Sequence, residues 1–193
     1  MSLILASNSE IRRAMLEQAG LQFVVRSPEF DEGSAKQGFR AGGEELSLRL
    51  AEGKAASVTA GPDDWIIGSD STVTLNDRSF SKPRDRDEAA AHLRAFSGKT
   101  MLLSSAVALS RLGKVEWSHS ESARLHVRDL SDSFISQYLD AEWPDVGYCV
   151  GVFRMEGRGV TLFDRVEGSY FTILGMPLLP LLGALRQRGL MAS

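Results

Sequence analysis

The chain has 193 residues, 43% hydrophobic and 24% charged, with 22 Lys+Arg against 25 Asp+Glu and a formal charge of −3 at pH 7. At about 150 residues per domain this predicts one domain over residues 1–193, or one with two lobes, of ordinary globular composition and not disordered. The near-neutral balance excludes a general nucleic-acid-binding role, because no basic excess exists to neutralise a phosphate backbone, but it leaves room for a local cationic pocket.

The one cysteine, Cys149, cannot form an internal disulfide. No basic segment precedes the first apolar run, and the longest apolar stretch, residues 176–185, is interrupted by Pro177 and Pro180. It is far below the roughly 20 residues that span a bilayer. A soluble, cytoplasmic protein with no membrane partner is expected. His92, His119 and His126 lack metal-ligand spacing and are expected at surface or sheet positions.

In chain order, residues 3–6 read as a short buried strand, followed by a helix over 10–19 stopped at Gly20 and a strand over 22–26. A polar segment without regular structure is predicted over 29–43, then a helix over 44–59. Trp65-Ile66-Ile67-Gly68 reads as a buried strand delivering Ser69-Asp70-Ser71, with residues 72–75 continuing extended. A helix over 85–96 buries Ala89, Ala90, Leu93 and Phe96 on one face; two long strands, 101–110 and 115–127, then form a hairpin at Leu112-Gly113-Lys114. A helix opened by Ser131, a glycine turn and strand within 157–166, and a last helix from after Pro177 to near Gly189 complete the chain. Strands alternate with helices but one hairpin breaks the pattern, which predicts an α/β fold with a mixed, twisted sheet and flanking helices.

Four segments place chemistry-bearing residues at element ends. In Ser7-Asn8-Ser9-Glu10-Ile11-Arg12-Arg13 a buried strand meets a helix start, where free N–H groups and the positive dipole end favour an anion. Ser7 and Glu10 have the spacing of a capping box, but arginines in a first turn oppose the dipole, and a bound phosphate would explain them. Lys54 falls on the apolar stripe Leu46, Leu50, Lys54, Val58, either snorkelling to water or directed into a cleft to meet an anion. Asp70 interrupts a buried strand, where α/β sheets often place catalytic or metal-binding acids. In Ser81-Lys82-Pro83-Arg84 the proline keeps Lys82 extended; Asp31-Glu32 is a solvated acid pair or a ligand for a hard cation. Ser97-Gly98-Lys99-Thr100 imitates a phosphate-binding loop but has Leu93 where that motif needs glycine, and reads as a helix terminus.

Together these supply cations, hydroxyls and acids with no Ser/His/Asp or thiol nucleophile, a set suited to phosphoanhydride hydrolysis. The order Leu3-Ile4-Leu5-Ala6-Ser7-x-Ser9-x-x-Arg12, Asp31-Glu32, Leu50-Ala51-x-x-Lys54-Ala55, Ile67-Gly68-Ser69-Asp70, Lys82-Pro83, Leu93-x-x-x-Ser97-Gly98-Lys99, and Glu167-Gly168-Ser169-Tyr170 through Gly175-Met176-Pro177-Leu178 resembles the Maf family, also called septum formation inhibitor-like, along nearly the whole chain. The resemblance implies nucleoside triphosphate pyrophosphatase activity, which splits the α–β phosphoanhydride to a monophosphate and pyrophosphate. It also implies a divalent metal (Mg2+ or Mn2+) and an elongated, two-lobed Maf/ITPase-like domain with a deep central cleft, often a homodimer. By position it implies Asp70 as general base, Lys54 and Lys82 as phosphate lysines, and Glu32 as an essential acid. The metal would lie on Asp70 and Glu32, and Ser7, Ser9, Arg12 and Arg13 would form a phosphate-binding loop.

Cys149-x-Gly151-x-Phe153-x-x-Glu156-Gly157-x-Gly159-x-Thr161-Leu162-Phe163 is similar to the branch hydrolysing 7-methyl-GTP. The dTTP/UTP branch has lysine, tyrosine and glutamine where this chain has Cys149, Phe153 and Glu156. Ile11, Ser71 and Glu156 are the expected specificity positions, Glu156 accepting from a guanine edge. Ile11 stands where that branch commonly carries an aromatic residue, and Glu10 where proline is common. A pyrophosphatase for dTTP/UTP-type nucleotides, or a catalytically weak nucleotide-binding regulator of cell division, are the alternatives.

Overall fold

The computed structural model describes residues 2–39, 42–76 and 78–192. A seven-stranded mixed sheet runs in the order β2 (Val24–Arg26), β1 (Leu3–Ala6), β3 (Trp65–Leu75), β5 (Thr100–Arg111), β6 (Lys114–Val127) and β7 (Phe163–Glu167), with β4 (Arg78–Phe80) added to β3. β1 pairs in parallel with β2 and β3, and every other pairing is antiparallel. Helices α1 (Glu10–Gln18), α2 (Glu32–Lys36), α3 (Gly43–Ser57), α4 (Arg86–Phe96), α5 (Asp132–Glu142), α6 (Tyr170–Leu174) and α7 (Leu178–Gln187) flank it. The α/β fold with a mixed sheet is as the alternation and the long hairpin predict.

The position of the site follows from β3. One edge is paired continuously to β5, from Ile66 to Thr74. The other is shared: residues 65–68 take β1 in parallel, and residues 73–75 take β4 antiparallel. Between β1 and β4, residues 69–72 have no strand partner on this edge among the described residues, so the sheet parts there, at Asp70.

Apolar residues gather on either side of that parting. Val73, Phe80, Leu93, Phe96, Leu125 and Ile135 belong to one cluster, and Leu5, Leu16, Ile67, Leu109, Leu181 and Leu185 to another. Two cores on one set of long strands give the two-lobed form. Across the middle, α3 presses directly on the sheet. A Cβ on Gly68 would lie 2.2 Å from the Ala51 carbonyl oxygen and 2.5 Å from the Ala55 nitrogen. Both neighbours are backbone and cannot yield, and Ala51, Ala55, Ala106 and Ala108 keep this contact small-sided. Gly68→Ala is therefore expected to destabilise the fold by about 1–3 kcal/mol, as overpacking does. An unshifted urea midpoint would contradict the close contact.

The structure departs from the sequence expectations where elements are short. Residues 29–43 contain α2, whose N-cap Asp31 accepts from the Ser34 N–H at 3.1 Å. β4, with 3 residues, and α6, with 5, are too brief to show a period. β2 is confined to Val24–Arg26, the residues that pair with Ile4, Leu5 and Ala6 of β1. His119 and His126 lie on β6, but His92 is buried on α4. There its ring packs edge-on to Phe80 and burial lowers its pKa.

Candidate active site

Successive side chains of β3 point to opposite faces. Asp70 and Thr72 face α3: Thr72 donates to the Gly43 carbonyl at 2.8 Å, and Asp70 accepts from the Lys54 ammonium. Lys54 itself is 8% exposed. Its Nζ also meets Glu32 Oε1 at 2.8 Å. One ammonium thus sits between two carboxylates, one from a buried strand and one from the first turn of α2. Lys54 is the anion-directed lysine and not a snorkelling one. α2 separates the acid pair, with Asp31 capping the helix while Glu32 turns inward.

Burial alone would raise the Glu32 carboxyl, but the hydrogen bond and charge of Lys54, and then those of Lys36 at 3.0 Å, lower it to about 2. The folded value lies below the ordinary carboxylate value of about 4.3. The pairing therefore adds stability that is full above that value and disappears as pH falls towards 2. Glu32→Gln should be less stable than wild type near neutral pH, with the gap closing as pH falls from about 4 to 2. Urea titrations giving a constant gap would contradict this.

On the opposite face, Ser69 and Ser71 meet the loop after α6. Ser69 Oγ donates to the Ala106 carbonyl at 2.7 Å and lies 3.1 Å from the Gly175 carbonyl; Ser71 Oγ is 2.8 Å from Ser105 Oγ and 3.2 Å from the Gly175 carbonyl. Arg12 occupies the parting of the sheet. Its Nη1 donates to the Ser69 carbonyl at 2.8 Å, its Nε to the Gly175 carbonyl at 3.0 Å, and its Nη2 to Ser71 Oγ at 3.1 Å. Burial lowers its pKa, against the opposing charges of Asp70 and Glu32. Three carbonyl or hydroxyl acceptors explain an arginine in a first helical turn without any phosphate.

The N-terminal loop differs from the capping-box expectation. Ser9 is the N-cap of α1 and no side chain caps the helix. Ser7, buried where β1 ends, accepts from the Ser9 N–H at 3.2 Å instead. The first-turn N–H groups of α1 are left without a side-chain acceptor. Arg13 is not brought to the cluster. It points to solvent and pairs with Glu17 at 2.7 Å, as i,i+4 neighbours do on an exposed face.

A family model described as Maf-like protein matches residues 2–188. The chain belongs to the Maf family. A 7-methyl-GTP pyrophosphatase of Rhizobium meliloti is 46% identical, over 97% of this chain and 96% of its own length. A protein of the same name from Brucella suis is 42% identical over 96% and 95%. A nucleoside triphosphate pyrophosphatase of Nitrobacter hamburgensis is 43% identical over 98% and 95%. Among solved structures, a nucleoside-triphosphatase (dITP/XTP pyrophosphatase) of Mycobacterium abscessus overlays 67% of this chain and 76% of its own at 18% identity and a TM-score of 0.41.

In this Maf protein the remaining candidates lie around the cluster. Lys82 is exposed after β4 and forms no ion pair among the described residues. Burial, then the charge of Glu156, pushes the Cys149 thiol up to about 11, against the opposing charges of Lys82 and Arg154. Glu156 is exposed and Ile11 half-buried, while Ser71 lies beneath the cluster, bonded to Arg12 and Ser105. Two members went unnoticed in the sequence. Lys36 reaches Glu32 from one turn away, a spacing that could have signalled it. Gly175, left-handed at φ 114, offers its carbonyl to Arg12, and its only sequence signal is a glycine before Met176-Pro177.

Proposed function

We propose that this Maf protein is a nucleoside triphosphate pyrophosphatase. It hydrolyses the α–β phosphoanhydride of a modified or non-standard nucleotide, with 7-methyl-GTP favoured, to the monophosphate and pyrophosphate. The observation that carries the chemistry is the convergence of Asp70 and Glu32 on the Lys54 ammonium at the parting of β3. The names and near-complete coverage of the relatives support the activity, and the 149–163 segment supports the base. One sheet carries both lobes, which supports a single catalytic domain over residues 1–193.

Two carboxylates that reach the same Nζ can reach one divalent cation, and their oxygens suit Mg2+ or Mn2+. No group of three or more acidic, histidine or cysteine side chains suited to a metal is found among the described residues, so phosphate oxygens and water would complete the coordination. The bound ion would supply charge neutralisation along the triphosphate.

In this reading a triphosphate displaces Lys54 from the carboxylates, and the ammonium follows the negative charge of the phosphates. Asp70, freed from its partner, accepts the proton of the attacking water. Lys54 and Lys82 balance charge on the transferring phosphoryl group and on pyrophosphate, and the uncapped N–H groups of α1, with Ser7 and Ser9, meet phosphate oxygens. Arg12 holds the floor of the site, and Arg13 has no part in it.

A panel of nucleoside triphosphates with Mg2+ or Mn2+, assayed for pyrophosphate, tests the proposal. Release is expected first from 7-methyl-GTP, and Glu156→Gln should lower that preference about tenfold, the scale of losing one hydrogen-bonding partner to a base edge. Preferred release from dTTP or UTP would select the other branch, and tight binding without turnover would select a regulator. No helix among the described residues is long and apolar enough to cross a membrane. A cytoplasmic setting and a homodimer are further parts of the proposal, the dimer testable by sedimentation velocity.

A further inference from the structure

Residues 149–156 are held more firmly than a surface loop requires. Val152 is fully buried with φ 57, in the left-handed region where a β-branched residue is a genuine outlier. Such a conformation persists only where its surroundings over-determine it, and it clusters at functional sites. The surroundings here come largely from α5. The Tyr138 hydroxyl donates to the Val152 carbonyl at 3.0 Å. Two residues on, Arg154 Nη2 donates to Glu142 Oε2 at 3.1 Å, and its Nη1 pairs with Asp145 Oδ2 at 2.9 Å. Glu142 is buried at the last turn of α5, and Asp145 opens the short 3-10 helix Asp145–Tyr148. The chain then folds back on the same residue: a Cβ on Gly159 would lie 2.4 Å from the Arg154 carbonyl oxygen, so only glycine fits.

This arrangement is expensive for a purely stabilising contact. The Arg154 Nε is buried with no acceptor. The ion pairs themselves are only part-buried, with the Glu142 side chain 7%, Arg154 36% and Asp145 57% exposed, so they add little stability, whereas their directional bonds fix geometry. What it fixes here is a segment whose exposed end is Glu156, two residues beyond Arg154.

We propose that Arg154 is a positioning residue for base recognition, its fork to Glu142 and Asp145 setting the 149–156 segment so that Glu156 is presented to the base edge. The inference rests on the reading of Glu156 given above. Arg154 bonds to Glu142 and Asp145 and to no residue of the Asp70 cluster, so its loss falls on discrimination and KM more than on kcat.

The test measures kcat and KM for 7-methyl-GTP, GTP and UTP in wild type, Glu156→Gln, Arg154→Gln, Arg154→Lys and Asp145→Asn, with thermal unfolding of each. Arg154→Gln is expected to lower the 7-methyl-GTP/GTP ratio of kcat/KM about tenfold, chiefly through KM, and Arg154→Lys to recover part of it. Asp145→Asn removes only the charge of the exposed arm of the fork and should cut the ratio about threefold, which keeps the inference testable if Arg154→Gln fails to fold. A ratio unchanged in Arg154→Gln or Asp145→Asn while Glu156→Gln collapses it would overturn the positioning role alone. An equal fall of kcat for every base would do the same. A wild type without base preference, or an intact preference in Glu156→Gln, would overturn the reading of Glu156 and this inference with it.

Discussion

Asp70→Asn is expected to lower kcat about 10³-fold, within the range that removal of a positioned general base produces. The substitution preserves shape and leaves a group that cannot accept the water proton. Lys54 retains its 2.8 Å contact with Glu32, so the cluster is not dismantled. The readout is pyrophosphate release at saturating nucleotide, taken beside a urea titration. A folded variant with wild-type kcat would remove Asp70 from the base role, and a variant that binds no nucleotide would make it a binding residue.

The second large effect belongs to Arg12. Arg12→Met removes the donor for the Ser69 and Gly175 carbonyls and the partner of Ser71 Oγ, where the edge of β3 away from β5 has no neighbouring strand among the described residues. Loss of a buried, charge-assisted network of this kind costs about 3 kcal/mol or more. Arg12→Lys is expected to recover only part of it, because an ammonium cannot reproduce the planar fork that reaches three acceptors. Activity should fall with stability, since the same bonds set the position of the strand that carries Asp70. A denaturation free energy within about 1 kcal/mol of wild type for Arg12→Met would contradict the structural role.

The difference between these residues is also the difference between what could and could not be read from the chain. Lys54 stood out because a charged residue fell on an apolar helical stripe, and Asp70 because an acid interrupted a buried strand; each signal is local. Arg12 was visible as an anomaly in a first turn, but its acceptors lie 57 and 163 residues away and two are backbone carbonyls, which have no sequence signature. That geometry gives Arg12 a structural role that the motif alone did not suggest. Its neighbour Arg13 shared the motif position but faces solvent, because adjacent helical residues point about 100° apart. The strand–helix alternation and the long hairpin between β5 and β6 carried the fold class. The parting of the sheet did not show, because it depends on where β1 stops and β4 starts along β3, and β4 is only three residues long. Glu32 was legible only as half of an acid pair open to solvent or to a hard cation, and its essential role came from the family resemblance, since α2 is too short to display which side of it faces Lys54.

In the proposed reaction the two carboxylates now holding Lys54 exchange it for a metal-bound triphosphate. Crystals grown with Mn2+ and a 7-methyl-GTP analogue carrying a methylene bridge between its α and β phosphorus atoms test it directly, through the anomalous signal of the ion. Manganese is expected on oxygens of Asp70, Glu32 and the triphosphate, with the Lys54 ammonium moved onto the phosphates. Nucleotide bound elsewhere, with Lys54 still between Asp70 and Glu32, would contradict it.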